Sequence, residues 1–258
     1  MTQLPITVEA LPIPASLDGT DPAAADFAAA AALVNESMRH LWGSGDFDES
    51  VRARLAAHRP GPLRRRLLLA ARSNGTIVGV AEARLPLLDN TRSAYVHVTV
   101  DPAARRSGVG RRLYAAVEQA VAAAGRTTLM AETEHPCRQP GADGRPGPGN
   151  GTWAASRAAH VLAPGSGAGS VPRDEAAGFA LANRFGLEQV ERVSRLDLAE
   201  GRPPRVQLEA AVAEAGSGYA VEFWQGACPE ETVAGYALLK QRMSTDAPTA
   251  GLDLEEER

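Results

Sequence analysis

The sequence runs to 258 residues, 44% hydrophobic, 22% charged and 5% aromatic, which is the size of one large domain or a domain and a half and excludes wholesale disorder. Its 27 Lys and Arg against 31 Asp and Glu leave a formal net charge of −4, which argues against a general affinity for nucleic acid or acidic membrane surfaces. Cys137 and Cys228 stand far apart without CxxC spacing, so neither a disulfide scaffold nor a zinc cluster is expected, and a reducing cytoplasm is the simpler setting.

The first residues lack the basic region of a signal peptide. Ile6-Thr7-Val8-Glu9 reads as a strand. A helix is expected from Asp21-Pro22, a capping residue followed by Pro at the first helical position, toward His40. Its Ala-rich start is interrupted by Asp26 and is too short and polar to span a bilayer. Trp42-Gly43-Ser44-Gly45-Asp46 marks a loop, and a second helix spans 48–58 before Pro60-Gly61-Pro62. A β-meander follows: strands at 66–72, 77–85 and 94–100, with Asn74-Gly75 as a hairpin turn and Asp89-Asn90 as another. The period then changes. Leu113, Val117, Ala120, Val121 and Ala124 recur at helical spacing, so 110–124 is an amphipathic helix, stopped by Gly125 and followed by a strand at 127–134.

Residues 136–172 are mostly Gly, Pro, Ser and Ala, a long loop with one weak helix at 153–160. A helix at 173–185 ends at Gly186, and a strand is expected at 189–198. Gly201-Arg202-Pro203-Pro204 is the clearest linker. Beyond it a helix (206–215), a strand (219–225), a helix (230–243) and an acidic tail are expected.

The chemistry concentrates in Val98-Thr99-Val100-Asp101-Pro102-Ala103-Ala104-Arg105-Arg106-Ser107-Gly108-Val109-Gly110-Arg111-Arg112-Leu113. An Arg-x-x-Gly-x-Gly turn lies directly between a strand and a helix. Glycines let backbone N–H groups converge at the positive end of the helix dipole, which makes a site for a diphosphate. Arg105, Arg106 and Arg111 add positive charge. Two other phosphate loops fail. Gly110 is followed by Arg111 rather than Lys-Ser/Thr, and position 113, where a dinucleotide fingerprint wants Gly, is Leu113.

At these residues the sequence resembles the GNAT superfamily of N-acetyltransferases, whose acetyl-CoA signature is a hydrophobic strand, then Gln/Arg-x-x-Gly-x-Gly/Ala and a helix. The order of elements from residue 6 to residue 198 agrees. The resemblance implies an α/β (α+β) fold: a mixed, mostly antiparallel, bent sheet with flanking helices, its fourth and fifth strands splayed apart. It implies acetyl-CoA as co-substrate, its pantetheine arm beside Val98, Thr99 and Val100 and its diphosphate on Arg105, Arg106, Ser107, Gly108, Val109, Gly110 and Arg111. The reaction implied is acetyl transfer to a primary amine of a small molecule or peptide. For the proton that the amine loses, Glu132 and Glu134 on the fifth strand and His97 on the fourth are the candidates, with Glu82 behind them. Each also has an ordinary reading, as a solvated strand-end carboxylate or a partly buried histidine. The family's usual acid, a Tyr four residues before a Gly-Phe exit, corresponds to Ala182 in Ala182-Asn183-Arg184-Phe185-Gly186-Leu187. That departure keeps an alternative in play: a non-catalytic acyl-CoA-binding module supporting a partner domain.

The chain also echoes its own beginning. Tyr219-Ala220-Val221-Glu222 parallels Ile6-Thr7-Val8-Glu9, and Met243 set against Met38 aligns Leu238 with Leu33. Lys240-Gln241-Arg242-Met243-Ser244-Thr245-Asp246 resembles the opening of the second domain in tandem actinobacterial members of the superfamily. The expected organisation is an acetyl-CoA-binding domain at 1–200, a linker and short helix at 201–218, and the start of a second module at 219–258. The tail is expected to dock on the first domain through strand pairing at 219–225. Asp46, Asp48 and Glu49 lie where such enzymes shape the acceptor site, with a plain solvated loop as the other reading. Arg64-Arg65-Arg66 reads as a solvated strand edge, not a nucleic-acid contact, and the histidines show no metal-binding spacing.

Overall fold

Alternating apolar residues and one tight turn build the centre of the fold. In the computed structural model, which describes residues 5–136, 161–193, 205–218, 220–246 and 249–256, β1 (Ile6–Ala10), β2 (Arg64–Ser73), β3 (Thr76–Pro86), β4 (Ser93–Val100) and β5 (Thr128–Ala131) form one sheet in that order. The first three pairings are antiparallel and β4–β5 is parallel. Asn74 and Gly75 join β2 to β3 with φ of +51° and +79°, the pair of positive values that a two-residue hairpin requires and that Asn-Gly tolerates.

Helices cover both faces. α1 (Ala23–Trp42) and α2 (Val51–His58) bury Phe27, Ala30 and Leu55 against Leu68, Ala70 and Val80. α3 (Val109–Ala123) places Val109, Leu113, Val117 and Val121 on Ala71, Ala81, Ala83, Leu85, Ala94 and Val96 of the other face. Each of the Val, Leu and Phe side chains removed from water contributes about 1.5–3 kcal/mol. Odd-numbered residues of β4, Tyr95, His97 and Thr99, therefore look toward α1 and α2, opposite Arg84, Glu82 and Val80 of β3. α4 (Glu175–Ala182) lies beside α3, with Phe179 and Phe185 edge-on to Tyr114. A small ribbon of β6 (Val161–Leu162) and β7 (Val171–Pro172) precedes it.

Several expectations change. β5 ends at Ala131, so Glu132 and Glu134 follow the strand instead of lying on it. The reason is the parting of β4 from β5: past Val96↔Ala131 no ladder remains to hold residues 132–136 extended. The helix expected at 173–185 occupies only Glu175–Ala182. Residues 189–193 and 220–225 form no strand, and Val221 and Phe223 are exposed, paired with neither edge strand, β1 nor β5. The weak helix at 153–160, residues 194–198 and the linker at 201–204 fall outside the described residues. α5 (Arg205–Ala215) and α6 (Glu230–Asp246) form as expected.

Contact between the tail and the domain is made farther along than expected. Asp253 accepts bonds from Arg92 (2.8 and 2.9 Å) and Thr128 (3.0 Å). The Glu255 N–H donates to Asn90 Oδ1 at 2.6 Å. Among the described residues no helix is long and apolar enough to cross a membrane.

Candidate functional site

A gap opens where β4 and β5 separate. β4 continues for four residues beyond its last β5 partner, so residues 97–100 present backbone groups there without a strand neighbour. The turn that follows is a nest. Asp101 caps a short 3₁₀ turn (Pro102–Ala104) through the Ala103 N–H. Arg106 (φ +62°) and Gly108 (φ +89°) then take left-handed conformations that turn successive N–H groups inward.

α3 begins at Gly108 with no side-chain cap and no acid in its first turn. By contrast Ser50 caps α2 and Asp174 caps α4, each through a backbone N–H. The N–H groups of α3 thus keep their donors at the positive end of a 15-residue helix, a setting that favours an anion. A Cβ at Gly108 would meet open space, as a cradle requires. Gly110 serves differently. Its Cβ would meet Phe179 Cε2 at 3.4 Å and Val100 Cγ2 at 3.5 Å, so it lets α4 approach. Arg105 is also drawn inward, to the Val100 carbonyl (3.3 Å) and Ser37 Oγ (3.2 Å), bracing the turn against α1. Arg106 and Arg111 are exposed and within the turn, and Ser107 Oγ closes it on the Ala104 carbonyl. Thr99 is buried on β4 with its hydroxyl unpartnered among the described residues, at a cost of about 1–3 kcal/mol unless a ligand group satisfies it. The uncapped helix, the open nest and the orphaned hydroxyl all fit an elongated phosphorylated thioester such as acetyl-CoA.

The proton-acceptor candidates separate. Glu132 is exposed and Glu134 half-buried, both just beyond β5 at the gap. His97 lies opposite Glu82. Glu82 itself is held by Arg54 (2.7 Å) and Arg66 (3.6 Å). His58 Nε2 stands 3.3 Å away, off the line of a hydrogen bond. Burial alone would raise the Glu82 carboxyl, but His58, Arg54 and His97 outweigh it and hold it below the usual carboxylate range. A carboxylate so paired is a structural anion, poorly suited to take a proton. In the acidic loop Asp48 is claimed by Arg39 and Glu49 by Arg54 at 3.2 Å, which reduces its pull on a cationic acceptor.

One constellation escaped the sequence reading. Thr133 Oγ1 lies 2.8 Å from His135 Nε2, and His135 Nδ1 lies 2.7 Å from Asp174 Oδ2. Asp174 also caps α4 by accepting from the Ala177 N–H at 3.0 Å. Burial would raise its carboxyl, yet the bonds from His135 and Ala177 prevail and keep it low, hence ionised. In the sequence Thr133-x-His135 carries no known spacing, and Asp174 lies far along the chain; its capping position before a helical run was the only available signal.

Residues 27–141 match the model of the Acetyltransferase (GNAT) family. Similar solved structures include an aminoglycoside acetyltransferase from an uncultured soil metagenomic sample, in complex with sisomicin. It is 14% identical, with 74% of this chain and 95% of that one covered and a TM-score of 0.45. A tandem GNAT protein from the clavulanic acid biosynthesis pathway is 23% identical over 52% of this chain and 41% of that one, TM-score 0.38. The ribosomal-protein-S18-alanine N-acetyltransferase from Escherichia coli is 20% identical over 54% and 70%, TM-score 0.36. No curated protein gives a significant match. The family match thus runs from α1 through β5 and on past the gap, and over residues 27–141 the chain is similar to the Acetyltransferase (GNAT) family.

Proposed function

We propose that this chain is an acetyl-CoA-dependent N-acetyltransferase acting on a primary amine of a small molecule. The observation that carries the reading is the uncapped N-terminus of α3 behind the Arg106–Gly108 nest, set directly below the unpaired end of β4. Acetyl-CoA, when bound, supplies an activated acyl group. The chain's own part is to hold it and to manage one proton. Main-chain groups at Val98, Thr99 and Val100 pair with the pantetheine amides, and the Thr99 hydroxyl gains a partner. N–H groups of residues 106–111, with the Arg106 and Arg111 side chains, receive the diphosphate. Arg105 keeps the turn in place. An amine enters from the other side of the gap, bordered by His97, Glu132 and Glu134, and attacks the thioester carbonyl.

A second reading has one observation in its favour. Ala182, the last residue of α4, stands where the superfamily's usual acid is a tyrosine and carries no proton to give. A module that binds acyl-CoA without turnover would tolerate that. Two measurements separate these readings. Gly108→Asp puts a negative charge in the nest with a residue that accepts a left-handed backbone, and calorimetry is expected to show acetyl-CoA affinity lowered at least tenfold in a folded variant. Unchanged affinity refutes the binding site. For wild-type protein that binds, release of free CoA against a panel of primary amines marks the transferase, and binding without release marks the module.

A further inference from the structure

We propose that Thr133, His135 and Asp174 are the proton-transfer site of this acetyltransferase, with Thr133 as the catalytic residue and His135 and Asp174 positioning it. The role rests on the transferase reading above. Register places the array. β4 and β5 last pair at Val96↔Ala131, so Thr133 comes two residues past the last pairing on its side of the opened gap, as Val98 does on the side of β4, where the proposed site holds the pantetheine arm. Thr133 is exposed, whereas the His135 side chain is only 5% exposed.

Three features make the array more than a satisfied threonine. Nucleophile-side hydroxyl, imidazole and carboxylate follow one another at hydrogen-bond distance, 2.8 and then 2.7 Å, the order in which a base is oriented by a third group. Asp174 is an acceptor for His135, so the neutral imidazole carries its proton on Nδ1 and offers the Nε2 lone pair to the Thr133 O–H. Asp174 is itself fixed by capping α4, so the base is aimed by a helix terminus and not by a loop side chain. Among the described residues the charged group bonded to the imidazole is Asp174, the N-cap of α4; in sequence, Glu132 and Glu134 lie on the segment of His135, and Arg173 and Glu175 flank Asp174. Among the described residues, no hydrogen-bonded partner orients Glu132, Glu134 or His97 in this way.

The step balances without another reactant. The amine nitrogen forms the C–N bond and gives its proton to Thr133 Oγ1, while the Oγ1–H proton passes to His135 Nε2. As the C–S bond breaks, the imidazolium, stabilised by Asp174, returns that proton along the same path to the sulfur. The products are the acetamide and CoA thiol. One relay thus serves both proton transfers and supplies what Ala182 lacks.

The test compares Thr133→Val, Thr133→Ser, His135→Asn and Glu132→Gln in the full chain. Thr133→Val is expected to lower kcat roughly 10²- to 10⁴-fold with acetyl-CoA affinity by calorimetry unchanged, and Thr133→Ser to restore it. His135→Asn keeps a donor to Asp174 but accepts no proton, so the acid-side limb of the kcat–pH profile disappears. Independently of turnover, ¹⁵N imidazole NMR of wild type should show the Nδ1–H tautomer, and Thr133→Val should shift the Nε2 resonance. Several outcomes overturn the role alone: wild-type kcat in Thr133→Val, an Nε2–H tautomer, or loss of the limb in Glu132→Gln with its retention in His135→Asn. A wild type that binds acetyl-CoA but releases CoA to no amine overturns the transferase reading, and this role with it.

Discussion

Glu82 illustrates how a residue's neighbours decide what it does. Its carboxylate sits on β3 among Arg54, Arg66 and His58, from α2 and β2, and its folded-state ionisation lies below the ordinary value of 4.5. A depressed carboxyl contributes stability that is fully present above the unfolded value and is lost as pH falls through the folded one. Glu82→Gln, which removes the charge and keeps the shape, is therefore expected to cost roughly 1.5–3 kcal/mol at pH 7. Urea unfolding of both proteins across pH checks this: the gap should close below about pH 4.5 as wild type protonates, and a pH-independent gap would show that the charge is irrelevant. Glu82 and His97 share a cross-strand pair, and that pairing was readable once the hairpin register was known. The cation cluster was not, because Arg54 and His58 come from a helix whose placement on the sheet no local pattern specifies.

Among elements, the contact of α3 with β3 sets the geometry of the site. Gly79, inside β3, is the close point. A Cβ there would stand 2.9 Å from Leu113 Cδ1, 3.0 Å from the Thr99 carbonyl oxygen and 3.0 Å from Val109 Cγ1. The carbonyl belongs to the sheet backbone and cannot move aside cheaply. Gly79→Ala is expected to destabilise by about 1–3 kcal/mol through overpacking and to weaken acetyl-CoA binding by shifting the N-terminus of α3; a thermal midpoint equal to wild type would contradict it. The amphipathic period of α3 and the glycine in β3 are both visible in the sequence. What the glycine was for became visible only when the helix lay on the strand.

For the whole molecule, the tail raises the question of what is joined to what. Residues 249–256 return to the five-stranded sheet through Asn90, Arg92 and Thr128, at the start of β4 and β5, the end of the sheet away from the gap. Exposed Arg92–Asp253 pairing contributes little, about 0.2–1 kcal/mol, so buried Asn90 carries most of the contact. Asn90 has φ of +52°, which Gly accepts as readily. Asn90→Gly and deletion of residues 249–258 are each expected to lower the melting temperature, and the two together to lower it no further than the larger single effect. Strict additivity, or a deletion without effect, would refute the docking.

The sequence by itself determined strands β1 to β4, the Asn74-Gly75 hairpin, the helix after the glycine turn and the place of that turn between strand and helix, since each rests on a local period or on backbone preferences that a few residues encode. Only the tertiary structure decided where β5 stops, that 220–225 finds no edge, that Glu82 is locked among cations, and that Thr133, His135 and Asp174 meet. Those depend on which surfaces touch and on contacts between residues far apart in the chain, which no local pattern records.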